Sequence, residues 1–237
     1  MGTVVVPLWR SSYVEVVSAE FEADTIHART YCPHFQYWLV KRGEWRAESS
    51  EGDHLLRRGR FIQFNPFQKC RKIALDRVYG IGIRVFEPES GSESSRRVSV
   101  STLWQIAALS TSGAGGAEID ETALSVPTKE NDRREPAEWL KVVETALTDD
   151  PAKEWSLQEL ADLACVSPNH LCSEFNRNFG VTMTAFRRQR MLELAAESLT
   201  QKGRNPETGF YDASHFNRAC QSEWGIRATQ LKQILQS

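Results

Sequence analysis

The chain has 237 residues, of which 41% are hydrophobic, and its formal net charge is −2. This composition predicts a globular chain of one or two domains, and no apolar run is long enough to span a membrane. The five cysteines are scattered and form no CxxC pair, and the N-terminal segment lacks the basic start and long apolar centre of a secretory signal. We therefore expect a reduced, cytoplasmic chain without a membrane partner.

The first hundred residues have the pattern of short strands. Alternate residues of segment 35–40 lie on opposite faces of an extended chain, and a proline precedes this segment. Two further apolar segments, 61–64 and 80–86, each end close to a proline. Short strands separated by turn signals predict an antiparallel barrel or sandwich, which we assign to residues 1–97.

Residues 98–150 are predicted to form a helical linker and dimerisation region. Apolar residues recur at helical spacing over 99–109 and again over 139–147. Between the two stripes, residues 110–134 are poor in large apolar side chains, which predicts a flexible linker or an inserted loop. An amphipathic stripe does not name its partner, so packing within the chain and a subunit interface both stay open for the second stripe.

Residues 151–237 begin with a helix–turn–helix pattern over 155–180. Apolar residues at three-and-four spacing predict a first helix, and Ser167 and Pro168 then supply the cap and the first position of a second helix. The second helix combines an apolar face with a face of small polar groups and one arginine, as a recognition helix needs in the major groove. Spacing alone fits an ordinary surface hairpin about equally well.

The C-terminal third resembles the DNA-binding domain of AraC/XylS-type regulators. Two signatures in the family's order carry the resemblance: Ser156, Leu157, Glu159, Leu160, Ala161, Ser167, Pro168, Leu171, Phe175, Gly180, Phe186 and Ala195, followed by residues 209–218, Gly225 and Ile226. The resemblance implies two helix-turn-helix units that bind double-stranded DNA and regulate transcription.

Residues 25–86 resemble the cupin-like sensor half of the same family. The resemblance is carried by His34, Gln36, Trp38, Val40, Gly43, Glu44, Trp45, Leu56, Gly59, Phe64, Pro66 and Cys70. It implies an α+β chain in which a cupin-like barrel, binding a small-molecule effector and no cofactor, precedes the all-α DNA-binding domain. The candidate ligand-binding residues are the polar and aromatic groups His34, Gln36, Trp38, Trp45, Phe64 and Cys70.

Enzymatic chemistry is not expected in the barrel. One histidine and one cysteine do not provide the converging donors that a metal site needs, so we predict no metal. The barrel segment also lacks a recognisable metal triad or acid/base pair, so we predict no catalytic residues and a protein that is not an enzyme.

The candidate DNA contacts lie on the outward faces of the two predicted recognition helices and on the long helix predicted over 183–200. They are Asn169, Cys172, Ser173 and Arg177 in the first unit, Arg188 on the long helix, and Ser214, His215, Asn217 and Arg218 in the second unit. Asparagine pairs with adenine, and arginine pairs with guanine or phosphate. The alternative for Arg218 is a surface ion pair with Glu223 or Asp212.

Charge limits the expected affinity. Residues 151–237 contain ten basic and nine acidic residues. Because phosphate contacts supply most non-specific affinity, we expect weak, salt-sensitive binding by a monomer, with a homodimer supplying the rest.

Segment 201–208 departs from the family pattern. It contains no apolar residue but has Gly203 and Pro206, where the family has a whole helix. The second recognition helix, predicted over 213–224, is therefore either braced against the long helix or only marginally stable. This leaves a second function open, a non-enzymatic interaction protein with reduced DNA binding that pairs with an intact regulator. The effector, the operator, the direction of regulation and the oligomeric state do not follow from the sequence.

Overall fold

The computed structural model describes residues 3–27, 35–49, 52–56, 58–64, 70–86, 98–125, 137–179, 181–199 and 210–236. Strands come first along the chain and helices second, which confirms the predicted α+β class. Among the helices of these residues, none is long and apolar enough to cross a membrane.

In the described part of the chain, nine strands pair into two antiparallel sheets: β1 (Thr3–Arg10), β2 (Val14–Phe21), β3 (Ile26–His27), β4 (Gln36–Arg42), β5 (Trp45–Ser49), β6 (Gly52–Leu56), β7 (Phe61–Phe64), β8 (Cys70–Ala74) and β9 (Val78–Val85). The larger sheet has the order β1-β2-β9-β4-β7, and the smaller has the order β3-β8-β5-β6. Strands β4, β7 and β9 confirm the three strand segments predicted from the sequence.

The larger sheet is covered on both faces, as its central strand β4 shows. Trp38 and Val40 belong to the apolar cluster between the two sheets, whereas Tyr37 and Leu39 belong to the cluster that the helices cover. Successive side chains of a strand point to opposite faces, so a strand buried on both faces is apolar almost throughout. The side chains that line the barrel interior and those that pack against the helices are therefore neighbours on the same strand.

The helical part contains α1 (Val100–Ser112), α2 (Gly116–Leu124), α3 (Glu138–Asp149), α4 (Leu157–Leu163), α5 (Pro168–Phe179), α6 (Met183–Ser198), α7 (Ala213–Ala219), a π-helical turn (Cys220–Trp224) and α8 (Ala228–Gln236). Helix α6 confirms the predicted long helix, which ends two residues earlier than expected. The predicted helix 213–224 is α7 continued by the π-helical turn.

Helix α2 corrects the prediction that residues 110–134 form a flexible segment. Ile119 and Ala123 are buried in the cluster that covers the larger sheet. Trp9 Nε1 and Ser11 Oγ both donate hydrogen bonds to Asp120 Oδ1, at 2.9 and 2.7 Å. Two apolar residues at i and i+4 are enough to hold a short helix against a sheet, although they give only a weak sequence signal. Residues 126–134 lie outside the described residues.

The buried apolar residues form three clusters. One fills the space between the sheets, and a second unites α3, α4, α5 and the beginning of α6. The third joins the outer face of the larger sheet to α1, α2, the end of α6, the π-helical turn and α8. The second helix-turn-helix unit thus shares its core with the barrel, while the predicted boundaries at 97 and 150 stay predictions.

Both apolar stripes of the middle region pack within the chain. Leu103, Trp104 and Ile106 of α1 lie in the cluster on the outer sheet face. Leu140 and Val143 of α3 lie in the cluster of the first helix-turn-helix unit. Packing within the chain therefore accounts for these buried faces, and a subunit interface, the alternative left open for the second stripe, stays a prediction.

Candidate nucleic-acid interface and barrel pocket

The first helix-turn-helix unit begins at a complete capping box. Ser156 Oγ accepts a hydrogen bond from the Glu159 backbone N–H at 3.1 Å, and Glu159 Oε2 accepts one from the Ser156 N–H at 2.8 Å. These two bonds satisfy donors at the start of α4 that have no partner within the helix. The hydrogen bond from the Ser156 N–H also holds the pKa of the Glu159 carboxyl below its usual value.

The turn between α4 and α5 passes through a left-handed residue. Cys165 has φ of 54°, and its N–H bonds to the Asp162 carbonyl at 3.1 Å. Residues with a Cβ lose about 1–2 kcal/mol in this conformation. The turn directs α5 across α4, and Leu171 and Phe175 are then buried together with Phe186 of α6.

The outward face of α5 carries the four residues predicted to contact DNA. Asn169, Cys172, Ser173 and Arg177 are all exposed. Arg177 forms an ion pair with Glu174 at 2.7 Å, and its side chain is still 70% exposed. An ion pair this exposed contributes little to stability and leaves the guanidinium accessible to a phosphate or a base edge.

The second recognition helix is capped by Asp212, whose Oδ1 accepts the His215 backbone N–H at 2.6 Å. Ser214, His215 and Arg218 are exposed. Asn217 is half-buried, and its Oδ1 accepts the Ala228 N–H at the start of α8, at 3.0 Å. The structure therefore gives Asn217 a capping function that its predicted assignment as a DNA contact did not include.

The two arginines nearest the second recognition helix differ in their partners. Arg188 of α6 forms an ion pair with Glu223 at 2.6 Å, which ties α6 to the π-helical turn. Glu223 is thus engaged by Arg188, and Asp212 caps α7. Among the described residues no ion pair is found for Arg218. The predicted alternative for Arg218, a pair with Glu223 or Asp212, is wrong.

Sequence reasoning missed Tyr211, which immediately precedes α7 and is 93% exposed. Its neighbour Phe210 packs edge-on against His215 and Phe216. The signal was present in the Gly-Phe-Tyr-Asp segment, because only one of two adjacent aromatic residues can turn toward the core. An exposed aromatic ring beside a recognition helix is available for contact with DNA.

The second unit is anchored by an aromatic stack with the barrel-side helix α1. The rings of Trp104 and Trp224 stack with centroids 4.7 Å apart, and Phe61 of β7 packs edge-on against Trp104. Burial beside this stack raises the pKa of the Cys220 thiol to about 12. The predicted brace, the long helix α6, supplies the Arg188 tie and the buried side chains of Leu192 and Ala196, and α1 adds further buried support. Segment 201–208, on which the prediction of a missing helix rests, lies outside the described residues.

Charged groups add a second link between the barrel and α6. Arg60 pairs with Glu193 at 3.2 Å, and Glu193 also pairs with Arg190 at 2.5 Å. Burial lowers the pKa of Arg60, and the neighbouring Glu193 carboxylate opposes this effect. At the adjacent turn, Arg58 Nη2 donates to the Leu235 carbonyl at 2.7 Å. Side chains of the β6–β7 turn thus hold both α6 and α8.

A pocket of about 240 Å³ opens between the two sheets of the barrel. It is lined by three of the predicted ligand-binding residues, Gln36, Trp38 and Trp45. Phe64 lies in the same apolar cluster as the two tryptophans. His34 and the side chain of Cys70 lie outside the described residues.

The pocket also contains charged residues that sequence reasoning missed. Lys72, Arg84 and Glu15 line it, and Lys72 Nζ lies 3.5 Å from Gln36 Oε1. The strand pattern could have identified Lys72 as a pocket residue, because it lies two residues after the candidate residue Cys70 and alternate residues of a strand share a face. The pattern could not have identified Arg84, because only the pairing of β9 with β4 places Arg84 opposite Gln36.

A larger cavity, of about 310 Å³, lies in the first helix-turn-helix unit. Cys172 and Asn176 of α5 line it together with Met183 and Arg187 of α6. Its wall includes the recognition helix, so it is a groove beside the candidate DNA interface. Within the described part of the chain, no group of three or more His, Cys, Asp or Glu residues is arranged to hold a metal ion.

Comparison with known proteins gives one family match. Residues 160–234 match a family model described as a helix-turn-helix domain. The match covers both recognition helices and the whole of α6, so it confirms the predicted helix-turn-helix domain. No curated protein matches the chain.

Among solved structures, the chain is similar to a cupin superfamily protein from Desulfitobacterium hafniense, with 12% identity, a TM-score of 0.35 and coverage of 36% of this chain and 79% of the other. An RmlC-like cupin with a double-stranded β-helix fold from Methanocaldococcus jannaschii has 14% identity, a TM-score of 0.34 and coverage of 37% and 84%. A cupin domain from Bordetella pertussis has 14% identity, a TM-score of 0.32 and coverage of 36% and 95%.

Proposed function

We propose that the chain is an AraC-type transcription regulator with a cupin-like N-terminal barrel, and that it binds specific DNA sequences, responds to a small molecule in the barrel and acts as a homodimer. The observation that carries this proposal is the continuous core between the barrel and the second helix-turn-helix unit. We propose that this core, reached from the pocket through strand β4, links ligand binding to the second recognition helix.

DNA binding is proposed through the outward faces of α5 and α7. The outward groups of α5 are exposed, and Ser214, His215 and Arg218 of α7 are exposed beside Tyr211. Arg218 is the strongest candidate for a base or phosphate contact, because its guanidinium is exposed and Glu223 is held by Arg188. The near-neutral charge of this half predicts modest affinity and a strong dependence on salt.

Coupling from the barrel to DNA is proposed to run through β4. Trp38 lines the pocket, and the preceding residue, Tyr37, faces the opposite side, where its hydroxyl accepts the Val98 N–H at 2.9 Å. Val98 lies next to Ser99, the N-cap of α1, and Trp104 of α1 stacks on Trp224. A ligand that shifts Trp38 would therefore move the support of the second recognition helix.

The homodimer contact is proposed at β1 with a second copy of the chain. β1 is an edge strand of its sheet, and Val4 and Val6 are 55% and 50% exposed. An apolar edge strand with open hydrogen-bonding groups readily pairs with another strand. The buried stripes of α1 and α3 are already used within the chain.

The DNA-binding proposal is tested by fluorescence anisotropy against genomic fragments and random DNA at several salt concentrations. Arg218→Ala is expected to weaken specific binding about 5- to 150-fold, as for loss of one base-reading arginine. The matched control is Arg46→Ala, which removes an exposed positive charge from barrel strand β5. Equal losses in the two variants would remove Arg218 from the interface.

The wild-type titration decides between the two functions. Specific binding tighter than that to random DNA supports the regulator. An affinity that never exceeds that for random DNA would overturn the proposed sequence-specific binding. It would instead favour the interaction protein that pairs with an intact regulator.

The dimer is tested by sedimentation velocity. Val4→Glu combined with Val6→Glu is expected to convert a dimer into a monomer, since it places two charges on the β1 edge. The control is Val142→Glu on the exposed side of α3, where Val142 is 45% exposed. If only Val142→Glu produced a monomer, the dimer interface would lie on the middle helices and not on β1.

A further inference from the structure

We infer that the groove of the first helix-turn-helix unit, with a volume of about 310 Å³, binds a small aromatic carboxylate. This ligand site is separate from the barrel pocket and lies on the helical half of the chain. The binding itself does not depend on the proposed function. Its consequence, competition with DNA for the first recognition helix α5, rests on that function.

The groove offers apolar surface to a ligand. Leu147 and Leu160 line it as buried side chains, and Trp155 lines it as a half-buried ring. Leu157, the first residue of α4, also lines the groove and is 41% exposed. An apolar body that displaces water from this surface is favoured by the hydrophobic effect. The apolar part of the lining therefore favours a ligand with a ring system over a fully polar ligand.

The walls of the groove are fixed by hydrogen bonds within the chain. Trp155 Nε1 donates to the Asp150 carbonyl at 3.1 Å, and the adjacent Ser156 begins the capping box of α4. In the wall formed by α6, Thr182 Oγ1 accepts the Ala185 N–H at 3.2 Å and caps the helix. A ligand that enters a preformed groove loses little affinity to rearrangement of the protein.

Arg187 of α6 supplies the positive charge of the groove, and among the described lining residues it is the only charged one. The three other arginines of α5 and α6 each pair with a glutamate, at 2.7, 2.6 and 2.5 Å: Arg177, Arg188 and Arg190. Within the described ranges no ion pair is found for Arg187. A guanidinium binds a carboxylate through two parallel hydrogen bonds, so Arg187 suits a ligand with one carboxylate.

The remaining polar groups of the lining are neutral. Asn176 of α5 contributes an amide, Thr182 and Thr184 contribute hydroxyls, and Cys172 contributes a thiol. The described lining includes no carboxylate, so an anion meets no like charge within the groove. The lining thus combines one cation with neutral hydrogen-bonding groups and apolar side chains.

Charges at the Trp155 end of the groove are of opposite sign. Lys153 Nζ lies 3.5 Å from the centroid of the Trp155 ring, and Glu159 belongs to the capping box that follows it. These two charges oppose each other. The charge that selects the ligand is therefore that of Arg187.

A DNA phosphodiester is the alternative partner of Arg187. It also carries one negative charge, but the sugars on either side of it are polar and do not replace water on Leu157 and Met183 as a ring does. An aromatic carboxylate satisfies both the cation and the apolar surface. Because the volume lies at the lower end of the range for small-molecule sites, the body has one or two rings.

The first test is isothermal titration calorimetry on the full chain without DNA. The probes are benzoate and 2-naphthoate, and benzamide and 2-naphthamide are their neutral counterparts. At least one acid is expected to bind more tightly than its amide by about tenfold or more, as for one hydrogen-bonded pair with a charged group. Equal binding of acid and amide, or no binding by either acid, would overturn the inference.

Alkylation of the cysteines locates the bound acid. Cys172 lines the groove, whereas Cys165 is exposed in the preceding turn and does not line it. Saturating acid should slow alkylation of Cys172 several-fold and leave that of Cys165 unchanged, as measured by mass spectrometry of the peptides. An acid that binds without protecting Cys172 lies elsewhere, for example in the barrel pocket, and would overturn the inference.

Arg187→Met tests the residue that selects the acid. The variant removes the charge, and we expect the acid to lose about tenfold or more in affinity while the amide does not. Arg46→Met, at an exposed residue of barrel strand β5, is the matched control and should bind the acid as the wild type does. Unchanged acid affinity in Arg187→Met would contradict the inference. Protection of Cys172 is measured on the wild type, so that test holds whether or not the variant folds.

Competition is measured by fluorescence anisotropy of labelled DNA with and without saturating acid. Specific DNA binding should weaken when the groove is occupied, and Arg187→Met should remove this effect of the acid. Unchanged DNA affinity with Cys172 protected would overturn the competition. An Arg187→Met variant that loses DNA affinity and keeps acid affinity would assign Arg187 to DNA phosphates and overturn the inference.

Failure of this inference is distinguishable from failure of the proposed function. Acid binding with protection of Cys172 but without specific DNA binding would leave the ligand site standing and remove the regulator. Specific DNA binding without acid binding would do the reverse.

Discussion

The two helix-turn-helix units of this chain are built on different supports. The first has its own core, in which α3, α4 and α5 pack around Phe175. Among its described residues the second has no separate core, since Trp224 and Leu231 are buried in the same cluster as the outer face of the barrel. Helix α6 belongs to both, with Phe186 in the first core and Leu192 in the second. A change in the barrel therefore reaches the second unit through a shared core, and α6 connects it to the first.

The largest expected effect comes from removing the shared aromatic anchor. Trp224→Ala should destabilise the chain by about 3–5 kcal/mol, because Trp224 is 1% exposed and stacks on Trp104. Phe175→Ala, at an equally buried ring of the first unit, should cost a similar amount. Hydrogen exchange distinguishes them, with faster exchange expected in α1 and β4 for Trp224→Ala and in α3 to α5 for Phe175→Ala. The same exchange map for both variants would contradict separate supports.

A smaller effect is expected where the barrel turn meets α6. Gly59 has φ of 78°, and a Cβ there would lie 2.9 Å from Ala196 Cβ. Gly59→Ala should cost about 1–2 kcal/mol for the left-handed backbone. Overpacking against the backbone of α6 should add about 1–3 kcal/mol.

The second unit, and not the first, should loosen in the Gly59→Ala variant. The Cys220 thiol reports this, since its burial and raised pKa make it unreactive in the native chain. Mass spectrometry of alkylated peptides should find faster modification of Cys220, with Cys172 unchanged because it is already exposed. Adding Ala196→Gly removes the closest contact, the one with Ala196 Cβ, and the two substitutions should then be less costly together than their sum.

Sequence reasoning recovered the first unit better than the second because the supports differ. Local spacing defines α4, α5 and the capping box at Ser156. The buried side chains that pack against these helices belong to α3 and the beginning of α6, which are close to them in the sequence. The second unit depends on Trp104, which is distant in sequence, and no periodic pattern indicates which side chains it meets.

The barrel also has parts that the sequence predicts and parts that it does not. The central strand β4 was predicted, because a strand buried on both faces is a continuous apolar segment. The edge strand β1 and the charged row of Glu15 and Arg84 were missed. An edge strand exposes most of its side chains, and the row exists only through the register between strands. Helix α2 was taken for a loop because two buried residues suffice to hold it.

Substitution by glycine should change the stability of the first unit in opposite directions at Cys165, in the turn, and at Cys172, on α5. Cys165→Gly should stabilise the chain by about 1 kcal/mol, because glycine adopts φ of 54° without the penalty of a Cβ. Cys172→Gly, on the exposed face of α5, should destabilise it by about 0.3–0.5 kcal/mol through loss of helix propensity. Urea unfolding measures both. Destabilisation by Cys165→Gly would show that the Cys165 side chain contributes more to the turn than its backbone conformation costs.

The smallest expected effect is a pH dependence confined to the first unit. The pKa of Glu159 is lowered in the folded chain, chiefly because its carboxylate accepts the Ser156 N–H. A carboxyl with a lowered folded pKa adds stability that is present above its unfolded pKa and lost as the pH falls through the folded value. Glu159→Gln should therefore lower the stability of the first unit near neutral pH, and its difference from the wild type should shrink below pH 4.5.

Local hydrogen exchange and urea unfolding across this pH range check the prediction. Glu154→Gln is the matched control, because Glu154 is an exposed carboxyl two residues before Ser156. Its difference from the wild type should stay small at every pH. The second unit should not respond to Glu159→Gln, since its cap is Asp212 and its support is α1. Equal loosening of both units by Glu159→Gln would mean that α6 transmits changes between them as strongly as the shared core does.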